Sequence, residues 1–162
     1  MARDCESEPE WLDAEERDAW LQLVHLVAWL PAALDAQLTR DAEMTTFEYA
    51  ILALLSEAPE RTRTMSNLAM VANGSLSRLS HVVTRLEARG WVRRSRSADS
   101  GRVKNAVLTD EGYAKVVASA PGHVAEVRRL TIDRLTRTQL RQLSEIGRRL
   151  NGAPAAGQPW GD

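Results

Sequence analysis

One predicted helix carries hydroxyl, imidazole and guanidinium groups on a face that has no acid. Between Ser75 and Gly90 the apolar side chains recur at helical spacing and form one stripe. The opposite face holds Ser77, Arg78, Ser80, His81, Thr84 and Arg85. Arginine, serine and threonine can donate to phosphates and to base edges in a DNA major groove, which is wide enough for one helix. A solvated surface helix usually mixes acids with bases, so this face favours a polyanion as its partner.

A second group of cations follows directly and forms a predicted hairpin. Its members are Arg93, Arg94, Arg96, Arg102 and Lys104. Like charges at this density repel one another unless a counter-charge is present, and a phosphate backbone or a minor groove supplies one. A hairpin that is merely solvated is the alternative. Asp99 is the only acid there, and it can pair with Arg102 across the turn.

The formal net charge of −1 conceals a strong segregation along the chain. Residues 1–50 contain twelve acids and three bases, a charge of −9, whereas residues 75–105 contain eight bases and two acids, a charge of +6. The local field governs attraction to phosphates because salt screens charges beyond roughly 10 Å. The basic block therefore remains compatible with a nucleic-acid partner.

The elements that must position these groups are mostly helical. A first helix is predicted from Leu12, and Pro31 should bend or divide it because proline removes a backbone donor. A second helix spans Phe47 to Glu57, capped by Thr45 or Thr46, and a short third one is opened by Thr64 or Ser66. The fourth helix is capped by Ser75, buries Leu76, Leu79, Val82, Val83 and Leu86, and stops at Gly90.

The period then changes to that of strands. Residues 91–96 and 103–108 read as two strands around a turn at 98–101. Thr109 caps a helix that continues to Leu130, and a last helix spans Thr138 to Leu150. The predicted fold is therefore mainly α, with a helix-turn-helix and one two-stranded β wing.

Several classes of protein are excluded by what the sequence lacks. The apolar cluster from Leu23 to Leu34 is interrupted at Pro31 and is shorter than the roughly 20 residues that a bilayer requires, so we expect no membrane partner. The acidic N-terminus has no signal-like apolar region, and the lone Cys5 suits a reducing cytoplasm. His25, His81 and His123 show no metal-ligand spacing, and no phosphate loop, nucleophile elbow or paired carboxylates are present. We expect no cofactor, no metal and no enzymatic activity.

The segment from Leu68 to Arg94, followed by Asp99-Ser100-Gly101-Arg102 and Val107-Leu108-Thr109-Asp110-Glu111-Gly112, resembles the MarR family of bacterial regulators. The resemblance extends over about residues 12–150. It implies a homodimer with interlocking N- and C-terminal helices, in which two recognition helices, each spanning Ser75 to Arg85, enter successive major grooves of a near-palindromic site. Wing contacts would come from Arg94, Arg96 and Arg102. Many members place the wing aspartate two residues before the arginine, whereas here Ser100 stands there and Asp99 lies three before.

The resemblance also implies a division of the chain and an effector. We expect an acidic tail at 1–10, a dimerisation region at 11–42, the winged helix-turn-helix lobe at 43–110, dimerisation helices at 111–150 and a tail at 151–162. Family members commonly bind phenolic or anionic effectors, and Trp20, His25 and Trp29 are candidates to line such a pocket. Packing at the dimer interface is the alternative role for these three side chains. A redox role for Cys5 is disfavoured because Asp4 and Glu6 oppose thiolate formation.

The predicted function is therefore a sequence-specific, double-stranded-DNA-binding homodimeric repressor that a small-molecule effector releases. Two alternatives stay open at this point. A winged helix can serve as a protein-interaction module, or it can bind DNA without sequence preference as an architectural protein.

Overall fold

A computed structural model describes residues 10–96 and 104–152 of the chain. Of these, residues 10–33 form one compact unit, and the described residues from Leu34 onward form the other. The helices are α1 (Ala14–Ala42), α2 (Thr46–Ser56), α3 (Met65–Val71), α4 (Leu76–Ala88), α5 (Asp110–Leu130) and α6 (Arg137–Leu150). The strands are β1 (Thr62–Thr64), β2 (Val92–Arg96) and β3 (Lys104–Leu108), and 3-10 turns lie at Pro59–Arg61 and Ile132–Arg134.

Hydroxyl side chains begin each helix from α2 onward. The Thr45 side chain accepts from the Glu48 backbone N–H, and Glu48 bonds back to Thr45 in a capping box. The Thr64, Ser75 and Thr109 side chains cap α3, α4 and α5 by accepting from the backbone N–H groups of Asn67, Arg78 and Gly112. These caps confirm the predicted starts of α2 to α5 and select Thr45 and Thr64 where the sequence left two candidates. Helix α6 begins at Arg137, capped by Thr136, one residue before the predicted Thr138.

Helix α1 is longer and more continuous than the sequence predicts. It runs unbroken through Pro31 to Ala42, so the predicted possibility of a division there is wrong. A proline inside a helix costs roughly 3 kcal/mol, because it removes one hydrogen bond and its ring clashes with the preceding turn. Beyond it, Leu38 and Ala42 are buried in the core and hold the following turns in helical geometry.

The same continuity changes the expectation about membranes. Helix α1 is long and apolar enough, by length and composition, to cross a bilayer, with a mean hydropathy of 1.3 over 18 residues. The argument from an interruption at Pro31 therefore fails. None of that window is buried in the chain, so its apolar side chains lie on the surface of α1.

The sheet has three antiparallel strands in the order β1-β3-β2, one more than the predicted wing. Strands β2 and β3 form the predicted hairpin, with Val92 opposite Leu108 and Arg96 opposite Lys104. Strand β1 pairs with the other edge of β3. It escaped prediction because three half-buried residues are too few to show a period of two.

The core of the second unit packs α2, α3 and α4 against the sheet. Its largest fully buried side chains are Leu38, Met44, Ile51, Leu52, Leu54, Leu55, Leu68, Leu79, Val83 and Leu86. In α4, the predicted burial of Leu79, Val82, Val83 and Leu86 is confirmed. The predicted burial of Leu76 is wrong, since this residue is 53% exposed. It is the first residue of α4, one turn before the helix meets the core.

Candidate nucleic-acid interface

The buried stripe of α4 fixes which side chains the helix presents to solvent. With 3.6 residues per turn, the residues opposite the stripe are Ser77, His81 and Thr84, and all three are exposed. We call these three residues the outer face of α4. Arg78 and Arg85 lie on the flank towards α2, whereas Leu76 and Ser80 lie on the flank towards the wing.

The first turn of α4 is suited to a phosphate. The Ser75 hydroxyl oxygen accepts from the Arg78 backbone N–H at 3.1 Å, which leaves the hydroxyl hydrogen able to donate outward. The first turn contains no acid. The partial positive charge of a helix N-terminus therefore acts here without a local counter-charge.

Arg78 is oriented by an aromatic ring of α2. Its guanidinium carbon lies 4.2 Å from the centroid of the Phe47 ring, within the range of a cation–π contact. Such a contact restricts the rotamers of the long side chain while its N–H groups stay available at the ring edge. Arg78 is exposed beside the outer face, where those groups can meet a base or a phosphate.

Arg85 is anchored inside the protein instead. Its Nε donates to Glu48 Oε1 at 3.0 Å, and Glu48 is only 3% exposed. Burial alone would raise the pKa of Glu48, but hydrogen bonds from the Thr45 backbone and side chain and from Arg85 hold that pKa below its ordinary value. The carboxylate therefore stays charged and ties α4 to the start of α2. This contact limits Arg85 as a base reader, the role that the sequence suggested.

Arg94 joins the wing to α4. Its Nη2 donates to the Ser80 carbonyl at 2.9 Å and to the Thr84 hydroxyl at 3.1 Å, and its Nη1 forms an ion pair with Glu87. The Arg94 side chain is 27% exposed. These contacts, which we call the Arg94 clasp, hold β2 against α4. The predicted contact of Arg94 with DNA stays a prediction.

The outer part of the wing carries the accessible cations. Arg93, Arg96 and Lys104 are exposed, and Arg96 lies opposite Lys104 across the β2–β3 pair. Arg102 and its predicted pairing with Asp99 lie outside the described residues. Within residues 10–96 and 104–152, none of the ion pairs involves Arg93, Arg96 or Lys104.

A groove of about 550 Å³ runs between α3, α4 and the wing. It is lined by Met65, Ser66, Leu76, Ser80, Thr84, Arg94 and Lys104. We call it the wing groove. Its rim is basic, its α4 wall carries two hydroxyls, and Leu76 and Met65 give it an apolar part.

The candidate effector residues belong to the first unit. Trp20, His25 and Trp29 are all exposed on α1. Within the described ranges, no cluster of three potential metal ligands occurs.

Sequence analysis missed three side chains that hold the helix in place. Glu48 and Glu87 are the acids that engage Arg85 and Arg94. Arg89 donates from Nη1 to the Glu43 carbonyl at 2.7 Å, just beyond the end of α1. Only Glu48 had a local signal, since Thr45-x-x-Glu48 is the spacing of a capping box.

Comparisons with known proteins agree with this arrangement. The chain matches the sequence profile of the MarR family over residues 44–104. It is similar to Sco3205, a MarR family transcriptional regulator from Streptomyces coelicolor whose crystal structure is in complex with DNA. The TM-score is 0.87 and the identity 42%, over 95% of this chain and 97% of that one.

AbsC, another MarR family transcriptional regulator from Streptomyces coelicolor, has a TM-score of 0.82 and 36% identity, over 89% of this chain and 99% of its own. CouR from Rhodococcus jostii RHA1, bound to p-coumaroyl-CoA, has a TM-score of 0.75 over 90% of this chain and 100% of its own. At 19% identity, this similarity shows a shared fold and nothing more. Comparison with curated sequences gives no match.

Proposed function

The chain belongs to the MarR family of transcriptional regulators, and we propose that it is a homodimeric repressor of a near-palindromic DNA operator. Two copies of α4 would enter successive major grooves about 34 Å apart, with each wing on the adjacent backbone. The observation that carries the proposal is the acid-free outer face of α4, which follows a helix N-terminus capped by Ser75 and precedes a basic wing.

Base readout and backbone affinity would come from different parts of this surface. Ser77, His81 and Arg78 would supply most base contacts, while Arg85 would hold the helix at the correct angle through Glu48. Arg96, Lys104 and Arg102 would contact phosphates, and Arg94 would keep the wing in register with the helix. Ser75 and Ser80 would support phosphate contacts at the edge of α4. Thr84 would instead help to hold Arg94, because its hydroxyl donates to the Ser80 carbonyl at 3.0 Å and accepts from Arg94.

The homodimer is supported by apolar side chains that a single chain leaves uncovered. Helix α1 exposes Trp20 and Val27, α5 exposes Val124, and α6 exposes Ile146 and Leu150. Exposed apolar residues that are scattered singly are normal on a monomer, whereas α1 alone exposes seven large apolar side chains between Trp20 and Trp29. A second copy that covers these helices would remove them from water, and it would also account for the hydropathy of α1 without a membrane. The proposed location is the cytoplasm, and no catalytic role is proposed.

Release by a small molecule is the regulatory part of the proposal. The neighbour CouR carries p-coumaroyl-CoA in its structure, which is both phenolic and anionic. Here Trp20, His25 and Trp29 offer aromatic surface and an imidazole on α1, suited to such a ligand. An effector that binds one arrangement of the dimer better would change the separation of the two α4 helices and lower operator affinity.

The test is fluorescence anisotropy with the DNA immediately upstream of the protein's own gene and with scrambled DNA, over a series of salt concentrations. We expect the upstream DNA to bind at least ~1,000-fold more tightly. Arg96→Ala should weaken binding to both duplexes, whereas Arg141→Ala on α6, an equal loss of charge at another exposed site, serves as the matched control.

Other outcomes would replace the proposal. One such outcome is equal binding to both duplexes that salt weakens to the same extent. If genomic fragments selected by the protein also bind no more tightly than scrambled DNA, the protein is an architectural DNA binder. Absence of binding to any duplex at low salt would indicate a protein-interaction module.

A further inference from the structure

Leu76 is an apolar side chain in an otherwise polar part of the surface. It is the first residue of α4 and is 53% exposed, although the spacing of the apolar residues predicts it in the core. It lines the wing groove together with Ser80 and Thr84 of α4 and with Arg94 and Lys104 of the wing. The residues before and after it, Ser75 and Ser77, are exposed hydroxyls.

A leucine at this place cannot do what its neighbours do. Its side chain has no hydrogen-bond donor or acceptor, so it adds nothing to a phosphate contact. The N-terminal residues of a recognition helix are the ones that reach base edges. In the major groove, the apolar group that an unmodified base pair presents is the C5-methyl of thymine.

We propose that Leu76 is a specificity-determining residue that contacts the 5-methyl group of a pyrimidine, which is thymine in unmodified DNA. This inference rests on the proposed function, because it requires α4 to enter a major groove. The Arg94 clasp supports it, since a wing fixed to Ser80 and Thr84 keeps the wing groove beside Leu76 in one shape. The same apolar contact would accept 5-methylcytosine, whose methyl group stands at the equivalent edge of the base.

The experiment uses the full-length protein and a duplex that the wild type enriches from a randomised library at about 150 mM salt. Each thymine of the enriched duplex is replaced in turn by deoxyuridine, which removes the methyl group and changes nothing else at the base-pair edge. Burial of one methyl group corresponds to about a fourfold change in affinity. We expect one thymine per half-site at which uracil weakens wild-type binding by about that factor.

Three variants assign the effect to the side chain. Leu76→Ala should bind the thymine duplex about fourfold more weakly per half-site and show no further loss with uracil. Leu76→Met keeps an apolar side chain and should retain the difference between thymine and uracil. Met70→Ala on α3 is the matched control, because Met70 is 71% exposed and does not line the wing groove.

Thymine and 5-methylcytosine are compared at the position where uracil weakens binding. Replacing that T·A pair by a C·G pair should weaken wild-type binding, and methylation of the new cytosine at C5 should raise the affinity again by about fourfold. Leu76→Ala should not respond to the methylation.

Two results would overturn the inference and are distinguishable from each other. If sequence-selective enrichment occurs but every uracil effect persists in Leu76→Ala, Leu76 does not read a methyl group and the proposed function stands. If the library yields no preferred duplex, the proposed function fails and the inference fails with it. Equal melting temperatures of the variants exclude misfolding as the cause of a lost response.

Discussion

Replacing Glu48 by glutamine removes a buried negative charge while keeping the shape of the side chain. The Glu48 carboxylate accepts from the Thr45 N–H at 2.8 Å, from the Thr45 hydroxyl at 3.1 Å and from Arg85 Nε at 3.0 Å. The amide of glutamine has one acceptor oxygen, so it can keep the contact with Thr45 or the one with Arg85 but not both in full. The change therefore tests whether this carboxylate fixes α4 against α2.

The magnitude follows from the exposure of the two partners. A hydrogen bond to a charged group contributes roughly 1.5–3 kcal/mol, whereas a neutral one contributes roughly 0.5–1.5 kcal/mol. Arg85 is 54% exposed and can be rehydrated when its partner is lost, which reduces the contribution of the ion pair. We expect Glu48→Gln to lower the free energy of unfolding by about 1–2 kcal/mol, and Arg85→Ala to lower it by a similar amount.

The assay is a double-mutant cycle of urea unfolding followed by circular dichroism. All four proteins must be compared at one protomer concentration, because the proposed dimer makes unfolding concentration-dependent. We expect the double variant to be about 1 kcal/mol more stable than the sum of the single losses predicts. The control cycle is Glu145→Gln with Arg149→Ala, an exposed pair on α6, for which the losses should simply add.

The same pair predicts a dependence on pH. Because the folded state holds the pKa of Glu48 below its ordinary value of 4.5, its contribution is fully present above about pH 4.5. The contribution is lost as the pH falls further towards the folded-state pKa. The stability difference between wild type and Glu48→Gln should therefore shrink below pH 4.5 and be constant above it. A coupling energy below roughly 0.3 kcal/mol, or a difference that persists unchanged in acid, would refute the anchoring role.

Four further predictions concern other parts of the chain. Arg102→Ala should weaken DNA binding broadly and lower the slope of log affinity against log salt by about one unit; an unchanged slope would remove its phosphate contact. Arg78→Ala should relax sequence preference, which a panel of operator variants measures, and full discrimination by the variant would exclude base readout. Val27→Glu places a charge at a residue that is 64% exposed in the single chain and should give monomers in sedimentation velocity, whereas Met70→Glu should not; an intact dimer would remove Val27 from the interface. Gly112→Ala puts a Cβ 2.1 Å from the Trp91 carbonyl oxygen and should cost more than about 2 kcal/mol, measured by urea unfolding; a neutral effect would contradict this packing.

The elements were predictable because their signals are local. A hydroxyl before an apolar period marks the start of α2 to α5, and Gly90 ends the α4 segment with a φ of 74°. The wing hairpin follows from a change to the period of strands. The structure also explains why residue 112 is a glycine: the backbone of Trp91 approaches so closely that no side chain fits there.

The functions of individual arginines were not predictable, because their partners are distant in sequence. Arg85 and Glu48 are 37 residues apart, and Arg89 and Glu43 are 46 apart. A tally of charges along the sequence treats each of these arginines as an unpaired cation. Only the tertiary structure reveals that the guanidinium groups of Arg85 and Arg89 are directed at the corner between α1 and α2.

This separation has a consequence for how the protein would recognise DNA. The arginines at the end of α4 hold the helix, and Arg94 holds the wing, so few full charges remain on the outer face. In the proposed complex, the groups left to meet base edges would be hydroxyls, one imidazole, the oriented guanidinium of Arg78 and the apolar Leu76. The exposed charges of Arg93, Arg96 and Lys104 belong to the wing. Salt should therefore act mainly through the wing, while substitutions on α4 should change sequence preference with little change in the salt slope.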